Sequence, residues 1–225
     1  MARPREFDEA EVLRAARDQF WSTGYAGTSM DAIAAATGLG KGSLYGAFGD
    51  KHRLFVRVFD AYCAGLTEAV AAELEGPDEQ ALERLSAHVR AMALGAASEA
   101  GRRGCLLAKG TAELAGRDPE VTARSLRTLD GVEDALAFDI QAAQRHGDID
   151  PGADPRQLAA LLLAVLRGLE ALGKAGKDEA SLASIAEAAL ATLPRPATSQ
   201  ARAPRRKVSG RTAAKSTSPS RHRAL

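Results

Sequence analysis

The sequence predicts an all-α protein: a compact three-helix unit at the N-terminus followed by a larger helical domain. Three observations carry this. Apolar residues recur at helical spacing from Phe7 to Leu193, capping residues and stop glycines punctuate that pattern, and strand-like alternation is nearly absent.

The elements follow in order. Asp8 is an N-cap, Glu11 occupies the capping-box position, and Phe7 with Val12 is placed for a hydrophobic staple. The apolar face of this first helix is Val12, Leu13, Ala16 and Phe20, and Gly24 is expected to end it. Thr28, with Asp31 three residues later, opens a short second helix whose inward residues are Met30, Ile33 and Ala34, and Gly38 stops it. A third helix over Lys41 to Phe48 buries Leu44, Ala47 and Phe48. Asp50 then caps a long helix with apolar positions at Leu54, Phe55, Val58, Phe59, Tyr62 and Leu66. Gly76-Pro77 breaks it. Further helices are expected near 78–97, 104–115, 119–146, 155–173 and 179–193, where Asp118-Pro119 and Asp154-Pro155 each supply a cap and a first-turn proline.

Of the 225 residues, 45% are hydrophobic and 26% charged, the composition of a globular chain with a core. No uninterrupted apolar run reaches membrane-spanning length, and Met1 to Glu6 carries mixed charge rather than an apolar signal core, so a cytoplasmic location is expected. Cys63 and Cys105 lie far apart without metal-ligand spacing, so neither a disulfide framework, a metal site nor a cofactor is expected. The histidines (His52, His88, His146 and His222) are scattered and none pairs with a plausible nucleophile, so no catalytic residue is assigned. The net charge of +1 hides an asymmetry: +1 over 1–57, −9 over 58–194 and +9 over 195–225. Attraction to nucleic acid is therefore local rather than general.

Two short helices joined by Thr37-Gly38-Leu39-Gly40 match a helix-turn-helix, whose second helix can enter the DNA major groove. On the wheel of that helix, Lys41, Gly42, Ser43, Tyr45 and Gly46 face outward. Gly27-Thr28-Ser29-Met30-Asp31-Ala32-Ile33-Ala34, then Lys41-Gly42-Ser43-Leu44-Tyr45, then Phe48-x-x-Lys51 resembles the TetR family of transcriptional regulators over about residues 6–66. The resemblance implies a homodimer, most often a repressor, on a palindromic double-stranded DNA operator. It also implies a divergent C-terminal domain that binds a small-molecule effector and dimerises through the last two helices, 155–173 and 179–193. The implied division is a DNA-binding domain over 1–50 and an effector and dimerisation domain over 51–193, while from 194 to 225 the chain carries too little apolar surface to offset ordering entropy and is expected to be a disordered basic tail. The implied DNA-binding set is Thr28, Ser29, Lys41, Gly42, Ser43, Tyr45, Gly46 and Lys51. Within it Thr28 meets phosphate at a helix N-terminus, Lys41 and Ser43 stand at the start of the recognition helix, and Tyr45 and Lys51 hold phosphates.

Two positions depart from the family habit, Gly40 where serine is frequent and Gly46 where a large side chain is frequent. Gly42 and Gly46 either let the backbone approach the groove closely or mark a tolerated, weakly helical segment. Cys105 at a helix start is read as packing, with a redox-sensing thiol as the alternative. His88 and Met92 share a helix face that lies in the core or lines a pocket, and Trp21 packs. Tail residues 195–225 are either a solvated end or a source of salt-dependent DNA affinity. An architectural DNA-binding protein using that tail without an effector is the competing reading.

Overall fold

In the computed structural model, which describes residues 7–196, the chain forms ten α-helices and one 3-10 turn with no strand among the described residues. They are α1 (Glu9–Gly27), α2 (Met30–Thr37), α3 (Lys41–Phe48), α4 (Lys51–Glu73), α5 (Ala81–Ala97), α6 (Glu99–Arg102), α7 (Leu106–Leu114), α8 (Pro119–His146), α9 (Pro155–Lys174) and α10 (Glu179–Ala191). The basic tail expected over 194–225 lies, beyond residue 196, outside the described residues.

The caps read from sequence form as expected at most termini. Asp8, Asp50, Asp118 and Asp154 each accept backbone N–H groups of the first helical turn, satisfying donors the helix itself cannot, and Asp178, not named from the sequence, does the same for α10. Phe7 packs on the head core with its ring 6.2 Å from that of Phe48.

Four expectations need correction. Gly24, at φ 77°, does break regular helix, but the helical run resumes to Gly27, so α1 kinks rather than ends there. Only a residue free of Cβ takes that conformation at low cost. The cap of α2 is Ser29, which accepts from Ala32 N at 3.0 Å, and not Thr28, which is buried one residue earlier. The helix expected to begin at 78 starts with a 3-10 turn, Asp78–Gln80, before α5. Finally, the segment expected as a helix over 104–115 is a nine-residue helix preceded by the short, unforeseen α6; Ser98 caps α6 by accepting from Gly101 N.

Two apolar cores organise the molecule. The first gathers Val12, Ala16 and Phe20 of α1, Ile33 of α2, Leu44 and Phe48 of α3 and the N-terminal half of α4, and also takes in Leu106 and Leu107 of α7 and Val121 of α8. The second gathers Val70 of α4 and Leu74 at its C-cap with the inward faces of α5, α8, α9 and α10. Helix α4, about 34 Å long at 1.5 Å per residue, is common to both and joins head to body. Inside the body Asp139 is fully buried and accepts from Arg84 at 2.5 Å; burial nevertheless pushes its carboxyl pKa above the ordinary value. His88 is buried and its Nδ1 lies 2.7 Å from the Glu73 carboxylate, while Met92 packs on the second core, so this face is core wall.

Candidate nucleic-acid interface

Residues of α2 and α3 divide by burial as their wheels dictate. Met30, Ile33, Leu44 and Phe48 are buried, and Ala34 and Ala47 are half-buried, which fixes both helices against α1 and α4. The opposite face of α3 presents Lys41, Gly42, Ser43, Tyr45 and Gly46 to solvent, with Tyr45 50% exposed although it is aromatic. Gly38, in the left-handed conformation at φ 69°, makes the corner between the helices.

The start of α3 is chemically open. Its N-cap is Gly40, which offers no side-chain acceptor, so no side chain caps the first turn beside Lys41, while Ser43 N donates to Gly40 O at 3.0 Å. Lys41 is ion-paired with Asp31 of α2, and both groups are more than half exposed. A Cβ added at Gly42 would meet nothing within 4 Å, so packing inside the chain does not require glycine there.

Thr28 and Lys51 are placed differently from the exposed set. The Thr28 side chain is 2% exposed; its hydroxyl donates to Gly24 O at 2.6 Å and lies 2.7 Å from the Thr23 hydroxyl. Lys51 donates from Nζ to Tyr25 O and Thr28 O, each at 3.0 Å, and lies 4.3 Å from the centre of the Tyr25 ring. Together they stitch the kinked end of α1 to the start of α2, where the last carbonyls of α1 need donors. Ser29 is exposed but its hydroxyl is engaged as the α2 cap. The structure thus brings Ser29, Lys41, Gly42, Ser43, Tyr45 and Gly46 to the surface of the helix-turn-helix and sets Thr28 and Lys51 beneath it as struts.

Sequence reasoning missed the joint between this head and the body. Glu113 of α7 accepts from Ala26 N at 2.9 Å, and Lys109 of α7 donates to Trp21 O and to Ser22 O. Burial pushes the Lys109 ammonium pKa down. Trp21 donates from Nε1 to Gly104 O at 2.6 Å, and Arg103 lies over its ring at 4.4 Å. On α4, His52 meets Asp118 at 2.5 Å, tying the first turn of α4 to the cap of α8. Partners 66 to 88 residues apart leave no local pattern, so no sequence signal marks these pairs beyond the capping position of Asp118. Cys105 is buried at the start of α7, with its Sγ 3.4 Å from the Tyr62 hydroxyl, as the packing reading expects.

Comparison with known proteins agrees with this geometry. The profile of bacterial regulatory proteins of the tetR family matches residues 12–58, and that of the tetracyclin repressor-like C-terminal domain matches residues 81–189. The chain is 26% identical over 193 residues to the HTH-type transcriptional repressor ComR of Escherichia coli (strain K12), covering 85% of this chain and 91% of that one. It is 28% identical over 151 residues to an uncharacterised HTH-type transcriptional regulator, YezE, of Bacillus subtilis (strain 168), covering 67% and 77%. Among solved structures it resembles a cysteine mutant of the TetR family regulator CifR in complex with a 26-bp double-strand operator DNA. The TM-score is 0.71 at 27% identity, with 86% of this chain and all of that chain covered. Head and body both match, in order, and the chain belongs to the TetR family of transcriptional regulators.

Proposed function

We propose that the protein is a homodimeric repressor that binds a palindromic double-stranded operator through α3 of each head and is released by a small-molecule effector of the body. The carrying observation is the α3 surface: an uncapped N-terminus flanked by Lys41 and Ser43, and Tyr45 half-exposed one turn on. Backbone N–H groups, hydroxyls and one cation suit phosphate oxygens and set register before base edges are read. Gly42 and Gly46 keep that face low, so the backbone can approach the groove and DNA shape carries part of the specificity. The head, 1–50, does the reading; the body, 51–193, takes the effector and the second subunit.

Dimerisation is supported by α9. Leu158, Leu161, Val165, Gly168 and Leu172 recur at spacings of three and four and are all left half-buried or exposed, although the opposite face of the same helix is core. Small residues of α10, among them Ala183, Ser184 and Ala188, are exposed and allow close helix approach. The architectural reading depended on tail residues outside those described, and family membership favours the regulator. No described helix is long and apolar enough to cross a membrane. A cytoplasmic location and a binding rather than a catalytic role go with the proposed action on DNA.

Selection from a random duplex library followed by footprinting tests this. One protected inverted repeat per dimer is expected, and uniform coverage of unrelated DNA would sink it.

A further inference from the structure

A groove of about 560 Å³ lies between α1 and α4. Its walls are Leu13 and Trp21 of α1 and Val58, Tyr62 and Leu66 of α4, and its mouth is formed by small exposed residues and the guanidinium groups of Arg14 and Arg17. The volume falls in the range of about 300–1,000 Å³ typical of small-molecule sites.

The aromatic walls are held in place before anything binds. Trp21 is fixed by its bond to Gly104 O, by Arg103 over its ring and by the edge of Tyr62 at 5.2 Å, and the Tyr62 hydroxyl rests on Cys105 Sγ. A rigid apolar cleft loses little conformational freedom when occupied.

Charge at the mouth selects the occupant. Asp18 accepts from Arg17 at 3.1 Å and from Arg103 at 3.3 Å, so one carboxylate already serves two guanidinium groups. Arg14 reaches Glu11 only at 3.7 Å, beyond hydrogen-bond distance, and keeps its planar donor fork. Three arginines facing two carboxylates leave one positive charge in excess. The neighbouring Glu9 and Asp60 are already paired, with Arg57 and Arg124.

We propose that this groove binds a small amphiphilic monoanion, with its apolar body on Leu13, Val58, Tyr62 and Leu66 and its carboxylate on Arg14. One wall is a head helix and the other is the helix that joins head to body, so occupancy changes the angle between them and with it the affinity for DNA. That consequence rests on the repressor reading; the binding itself does not.

Octanoate and uncharged 1-octanol serve as probes, read by calorimetry and by the fluorescence of Trp21, the only tryptophan of the chain. Wild-type protein is expected to bind octanoate about tenfold more tightly than octanol, and Arg14→Ala to abolish that preference while leaving octanol unchanged. A Cβ at Gly65 meets nothing within 4 Å, so Gly65→Leu fills the mouth without a clash at that atom and is expected to block both probes with the melting temperature retained. Equal affinity for the two probes, unimpaired binding by a folded Gly65→Leu variant, or no binding to wild type overturns the site. With the selected operator, octanoate is expected to shift wild-type DNA affinity but not that of Gly65→Leu. Octanoate binding with unchanged DNA affinity overturns the coupling alone.

Discussion

At the scale of single residues, the helix-turn-helix separates side chains that face outward from side chains that hold its frame. Lys41, Ser43 and Tyr45 stand out from α3, whereas Thr28 and Lys51 use their polar atoms on the carbonyls at the end of α1. The wheel of α3 was legible because one helix face must be apolar and this helix has eight residues with only one such face. The engagement of Thr28 and Lys51 was not, because it depends on a kink at Gly24 that turns carbonyls toward them. Gly42 supplies the sharpest residue-scale expectation. Gly42→Ala meets no neighbour, so it is expected to stabilise the protein by about 0.5–1 kcal/mol through helix propensity. If the DNA backbone passes close to α3, the same change weakens operator binding about tenfold. Thermal melts and fluorescence anisotropy with the selected operator read the two effects separately, and an unchanged affinity would remove close approach as the purpose of the glycine.

Among the elements, α4 and α7 decide how the head is carried. α4 gives its first half to the head core and its end to the body, and α7 grips the far end of α1 through Lys109 and Glu113. A further tie is His52 with Asp118, which also caps α8. Burial by itself would raise the Asp118 carboxyl, but the His52 ring and the N–H groups of Val121 and Glu120 together outweigh it and hold its pKa below the ordinary value. A carboxyl depressed in the folded state contributes stability that is complete above its unfolded pKa and is lost as pH falls through the folded one. Asp118→Asn keeps a capping oxygen and removes the charge, so it is expected to cost about 1 kcal/mol at neutral pH. Urea unfolding of both proteins across the acid range should show this difference shrinking below about pH 4. A constant difference would assign the effect to the cap and not to the charge.

For the whole molecule, the unburied stripe of α9 is an apolar surface that packing within the single chain does not explain. Leu161 and Leu172 are 46% and 38% exposed and lie eleven residues apart on one helix face. Leu161→Glu would bury an unpaired charge between subunits while leaving the core face of α9 untouched. Sedimentation is expected to show a monomer with normal helix content, and operator affinity to fall about tenfold or more because two linked half-sites become one. A stable dimer of that variant would place the interface elsewhere.

Helical periodicity, aspartate caps and turn glycines lie within a few residues of one another, and they were enough to determine the all-α class, most helix bounds, the helix-turn-helix and the outward set on α3. The family resemblance drawn from the head extended correctly to the body, where periodicity alone could not choose a topology. Only the tertiary structure decided that Ser29 rather than Thr28 caps α2, that Lys51 braces the α1–α2 corner, that α7 clasps α1, and that a groove opens between α1 and α4. The cap is a local bond that two adjacent hydroxyl residues could each have made; the others depend on groups brought together from distant parts of the chain, which leave no period or spacing in the sequence. The expected DNA-binding set therefore resolves into six residues exposed on the helix-turn-helix and two, Thr28 and Lys51, engaged at the α1–α2 corner.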